Sequence, residues 1–151
     1  MAVDRLFVGL AVAGTVLVTF GACLWPYRTA CVYEIPEGFH GWVLIEFENR
    51  SCPALPIRDG KLVFSVSAQG SLCASSKLEQ GWATDEYFFV GQVRTPIPNT
   101  GWGGGGLIWG SSNGWCQVTG KVPHVFESFF VGTETQFRAA GAPPELEGCK
   151  T

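Results

Sequence analysis

Four carboxylates set on short apolar segments, Glu46, Asp85, Glu86 and Glu127, are the side chains of this sequence best suited to acid–base chemistry. Hydrolysis by paired carboxylates needs two of them to face one cleft. Asp85 and Glu86 are adjacent, so in a strand they point to opposite faces and do not form such a pair alone. A partner such as Glu46 or Glu127 has to come from elsewhere in the chain; otherwise the two are the solvated entrance of a strand. Flat aromatic faces offer a different chemistry, the stacking of sugars or peptides. Trp82, Trp102 and Trp115 could line a cleft, and Trp102 and Trp115, beside glycine-rich turns, are the two expected to be exposed. With Asp85 and Glu86 they make up the ligand-binding candidates, whereas Trp109 sits in an apolar run and is better explained by core packing.

Other chemistries lack their residues. His40 and His124 could in principle meet Ser75, Ser76 or Cys116, but no local motif joins a nucleophile to a base. The run Gly103 to Gly106 leads into Leu107-Ile108-Trp109-Gly110, an apparent strand, and has no following Lys, so it does not form a phosphate-cradling loop. Four bare glycines suggest instead a close backbone approach or a pliant loop. Cysteines at 23, 31, 52, 73, 116 and 149 contain no Cys-x-x-Cys and no His ladder, so no metal site and no cofactor is expected. A formal charge of -3 with ten scattered basic residues gives no support to nucleic-acid binding.

The elements that must position these residues begin with a targeting segment. Leu6 to Trp25 is twenty residues without a charge, long enough to cross a bilayer as a helix. Residues 1–25 therefore form either a signal peptide or a retained N-terminal membrane anchor. In the first case Gly21 and Ala22 precede Cys23, the lipidation candidate, although Phe20 fits such a signal poorly. In the second, Trp25 and Tyr27 sit at the membrane interface. The cysteine count suits an oxidising compartment, and Cys52 with Cys73 is the preferred disulfide because each flanks a turn-like segment around one strand.

Residues 32–141 form a β-rich domain and 142–151 an irregular tail. Trp42 to Phe47 alternates, with Val43, Ile45 and Phe47 on one face. Asp59-Gly60 marks the corner before Lys61 to Val66. Leu78 to Trp82 has room for a short helical turn, Tyr87 to Val90 is a strand, and Val93 to Thr100, with two prolines, is a loop. Leu107 to Trp109 is a short strand closed by a turn at Ser111-Ser112-Asn113-Gly114, a brief extended piece ends near Val122, and Ser128 to Val131 is the last strand. Glu86 to Gly91 and Glu127 to Gly132 echo each other over six residues only, which indicates similar strand chemistry and not a repeat. Thr133 and Gln136 have the form of a capping box, so a helix from Glu134 to about Ala140 should follow, with Phe137 inward and Gly141 as its stop.

Ile35-Pro36-Glu37-Gly38-Phe39-His40-Gly41-Trp42-Val43, Cys52 to Ile57, Cys73-Ala74-Ser75-Ser76, Gly81 to Tyr87, Leu107 to Gly110 and Phe129 to Thr133 with Phe137 occur in a set order. In this the chain resembles a family of uncharacterised bacterial proteins, a domain of unknown function often preceded by a lipoprotein-type signal. The similarity spans roughly residues 32 to 140. It implies a single exported domain and no particular reaction.

Short strands separated by frequent turns, without recurring helical patterns, predict an all-β fold: a small antiparallel β-sandwich-like domain with a short C-terminal helix. The expected function is a non-enzymatic, extracytoplasmic, membrane-associated binding or structural module. Its partners would be the membrane, through the N-terminal segment or a lipid, and a protein or envelope component. The alternative is an extracytoplasmic hydrolase using the dispersed carboxylates. The expected location is the cell envelope, membrane-anchored outside the cytoplasm, with secretion as the alternative.

Overall fold

The computed structural model describes residues 27–117, 123–146 and 148–149. The apolar run with Cys23, and Val122, lie outside the described residues. The first strand, β1 (Cys31–Pro36), belongs to one sheet, and after a turn at Gly38 the chain crosses to a second sheet as β2 (Gly41–Phe47). It returns as the hairpin β3 (Ile57–Arg58) and β4 (Lys61–Ser65), crosses again as β5 (Ser71–Cys73), and returns as β6 (Glu86–Val90) and β7 (Arg94–Pro96). The last three strands, β8 (Gly104–Gly105), β9 (Ile108–Cys116) and β10 (His124–Val131), complete the second sheet. The sheet orders are β3-β4-β1-β6-β7 and β5-β2-β10-β9-β8.

The result is a mostly antiparallel two-sheet sandwich with one short helix. Three pairings are parallel, β1 with β4, β1 with β6, and β2 with β5. They follow from the route of the chain: each strand leaves for the opposite sheet before its neighbour is laid down, and the neighbour then runs in the same direction. Close turn spacing suggests hairpins, because a turn signal does not say which sheet the next strand joins.

Alternation sorts β2 as expected, with Val43, Ile45 and Phe47 buried. Tyr33 at the centre of β1 stacks on Phe64 of β4 and Tyr87 of β6, with ring centroids 4.7 and 4.6 Å away. The ring edge of Phe129 from the opposite sheet meets Tyr33 at 5.2 Å. This aromatic group joins the sheets, and full burial of each such ring contributes on the order of 1.5–3 kcal/mol. Helix α1 (Glu134–Ala139) starts in the capping box of Thr133 and Gln136. Its Phe137 packs on Trp42, Trp109 and Phe130, covering the outer side of the second sheet.

Three local expectations are corrected. Within Val93 to Thr100, Arg94–Pro96 forms the edge strand β7, where Pro96 needs no ladder donor on its free side. Ser111 to Gly114 is not a turn but the middle of β9, paired with β10. Gly114 is suited to that place because a Cβ would stand 3.1 Å from the Phe126 ring. Leu78 to Trp82 has no helical turn. The glycine run makes a close backbone approach: a Cβ on Gly106 would lie 2.3 Å from the Pro98 carbonyl oxygen.

Candidate functional site

Inward-facing side chains of a sandwich are normally apolar, so a carboxylate at such a position stands out. Glu127 of β10 lies between Val125 and Phe129 on the inner face, opposite Ile45 of β2 and Asn113 of β9. Its carboxylate accepts the Tyr33 hydroxyl at 3.0 and 3.2 Å. Burial pushes Glu127 up to about 7, the Tyr33 hydrogen bond works against that rise, and the nearby negative charge of Asp85 adds to it. Its proton therefore changes hands near neutral pH.

Around this pair the start of β1 and the entrance of β6 contribute Arg28, Cys31, Asp85 and Tyr87. Arg28 clamps both oxygens of Asp85, one at 2.9 Å, and the Cys31 amide donates to the same carboxylate at 2.9 Å. Hydrogen bonding to Asp85 holds the Arg28 guanidinium above its already high ordinary value. Burial raises Tyr33 and Tyr87, and raises the Cys31 thiol to about 12, so this free cysteine stays protonated.

Val125 and Asn113, the neighbours of Glu127 on this face, line a groove of about 540 Å³ that Glu127 itself does not line. Leu78, Trp115, Pro123 and Val125 give it apolar walls, and Glu48, Gln80, Asn113 and Gln117 give it polar ones. Trp115 is 68% exposed there. Directly paired residues share a face, so Trp115 and Asn113 continue the row of Val125 and Glu127.

The remaining sequence candidates are dispersed. Glu86 faces out and meets Lys61 at 2.6 Å. Glu46 binds His124 at 2.6 Å and Asn49 at 3.1 Å, on the outer side of β2. Trp82 and Trp102 stand against each other with centroids 4.7 Å apart and do not line the groove. Of the four carboxylates, then, Asp85 and Glu127 are brought into one cluster. Cys52 and Cys73 are joined as a disulfide with Cα atoms 5.7 Å apart, and Cys116 is joined to Cys149. Among the described residues no group of three or more His, Cys, Asp or Glu is placed to hold a metal ion. Sequence reasoning missed Arg28, Tyr33 and Tyr87, because their role depends on pairing between distant strands. A Glu in phase with Phe129 and Val131 was the available signal.

A family model described as "Family of unknown function (DUF6843)" matches residues 27–138, which hold all the described strands and all but the last residue of the helix. The chain belongs to that family. Its fold is similar to a 2.75 Å crystal structure of a "Putative Lipoprotein from Bacillus anthracis", with a TM-score of 0.60 and 26% identity over 78% of this chain and 82% of that one. No curated protein matches the sequence.

Proposed function

We propose that this family member is a non-enzymatic binding or structural module held at the membrane outside the cytoplasm, and that the groove beside Trp115 is where it meets a protein or envelope component. The observation that carries the reading is the groove itself, a concave apolar strip with an exposed Trp and a few polar side chains. The carboxylates Glu46, Asp85 and Glu86 are each taken up by a cationic or hydrogen-bonding neighbour. Location is supported by the likeness to the lipoprotein-described structure, by two disulfides, and by the apolar segment with Cys23. A photoreactive phenylalanine analogue placed at Trp115 in cells should give a discrete adduct, and the same group at exposed Val93, in the turn between β6 and β7, should not. Absence of any adduct at position 115 would defeat the groove reading.

One observation favours the hydrolase as a second reading. Glu127, with its proton in balance near pH 7 and with Val125 and Asn113 of the groove wall next to it in the sheet, has the property required of a general acid. Turnover of nitrophenyl esters or glycosides that disappears in Glu127→Gln would replace the first reading with the second.

A further inference from the structure

Tyr27, Trp82 and Trp102 are among the large apolar side chains left most open, 89%, 41% and 77% exposed. They are not scattered. Tyr27 is bridged through its backbone to Trp82, the Arg28 amide donates to the Trp82 carbonyl at 3.2 Å, and the Trp82 ring meets Trp102 edge to face. Trp102 is presented at the tip of the glycine-rich turn with a left-handed backbone, φ 53°. Such a conformation is uncommon for a bulky residue.

The position of this patch along the chain supplies its occupant. Tyr27 follows Trp25, the end of the twenty-residue uncharged run, by two residues, and follows Cys23 by four. Whether the membrane holds a retained helix or a lipid on Cys23, a tether of four residues spans at most about 14 Å. The patch is thus bound to stay within reach of the bilayer surface, where Trp and Tyr rings are favoured at the headgroup level. A net charge of -3 gives the chain no overall attraction to an anionic surface, so the aromatic side chains carry the contact argued here.

We infer that Tyr27, Trp82 and Trp102 form a second membrane contact, seating the sandwich on the lipid surface beside its attachment point. The inference rests on the membrane attachment proposed above. It adds an orientation: Gln80 lines the groove two residues from Trp82, so the groove opens close to the bilayer.

The test uses the full chain reconstituted, domain outward, in phosphatidylethanolamine–phosphatidylglycerol vesicles with and without bromine on the upper acyl chain. The Trp102 signal is the difference in fluorescence between the wild type and Trp102→Phe, a mild change at an exposed site. Brominated lipid should remove most of that signal, and iodide added to the water should leave it. Quenching by iodide and not by bromine overturns the inference, and shielding from both, which would mean cover by another protein surface, overturns it as well. Flotation of the same vesicles separates the two levels. Chains left behind would refute membrane attachment itself, whereas chains that float with an iodide-open Trp102 refute only the seating.

Discussion

The segments Glu86-Tyr87-Phe88-Phe89-Val90-Gly91 and Glu127-Ser128-Phe129-Phe130-Val131-Gly132 differ at one position, yet the structure uses them in opposite phase. In β6, Tyr87 and Phe89 face the core while Glu86 pairs with Lys61 outside. In β10, Phe129 and Val131 face the core and carry Glu127 inward with them. Tyr87 against Ser128 decides the matter. A tyrosine completes the stack with Tyr33, so its strand turns that face to the core, whereas Ser128 is small enough to be buried with Phe130 on the face of β10 turned away from Tyr33. A shift of one residue moves every side chain to the opposite side of a sheet, and here it makes one glutamate a surface ion and the other a buried acid.

The largest test of this difference is at the two first phenylalanines. Phe129→Ala removes a fully buried ring and should cost about 3–5 kcal/mol in urea unfolding. Phe88→Ala removes a partly exposed ring under the Arg94 guanidinium, 3.8 Å from its centroid, and should cost about 1 kcal/mol. Equal losses would mean that the two strands are not out of phase.

The disulfides reinforce the contrast, since each has an end on the sheet that carries Glu127, Cys73 in β5 and Cys116 in β9. Replacing Cys52 and Cys73 together by Ala opens a loop of sequence separation 21 and should cost about 3 kcal/mol by the chain-entropy relation. Thermal unfolding would measure it, and alkylation would find Cys31, on the other sheet, unreactive until the protein unfolds.

A smaller effect, visible only as pH changes, belongs to Glu127. Its folded value near 7 lies above the ordinary 4.5, so between these the folded state keeps a proton that the unfolded chain has released. Stability must then fall as pH rises from about 4.5 to about 7, by on the order of 2–3 kcal/mol. Glu127→Gln should flatten this slope and exceed the wild type in stability above pH 7, because the amide oxygen still accepts the Tyr33 hydroxyl. Tyr33→Phe removes the donor that favours the carboxylate, so the upper end of the window should move to higher pH. A wild-type curve without slope in this range would place Glu127 in water.

Much of the sandwich was legible because its signals are local. Alternation in Trp42 to Phe47, Asp59-Gly60 before β4, and the Thr133–Gln136 box each act within a few residues. Sheet membership was not, since it depends on where the chain goes after each turn, and the parallel neighbours of β1 are 25 or more residues away in sequence. For the same reason Asp85 was readable as a polar candidate, while its clamp by Arg28, 57 residues earlier, was not. Ser111 to Gly114 shows the opposite failure: its residue types favour a turn, but the ladder offered by β10 and the ring of Phe126 over Gly114 hold it extended.

The smallest effect is expected at Glu86, and it sharpens the comparison because the geometry looks strong. Lys61 Nζ stands 2.6 Å from the Glu86 carboxylate, but the two side chains are 34% and 42% exposed. Water and salt screen such a pair, and both side chains lose rotamer freedom on forming it, so its coupling should be below about 1 kcal/mol. A double-mutant cycle with Glu86→Gln and Lys61→Met reads that coupling directly. It should shrink further in high salt, where a buried interaction would persist. The Glu86→Gln variant should also keep the full stability slope between pH 4.5 and 7, since that slope comes from Glu127. A large, salt-resistant coupling at Glu86, or a slope that moved with it, would mean that β6 holds its glutamate as tightly as β10 does, and that the one-residue shift in phase does not separate the two acids.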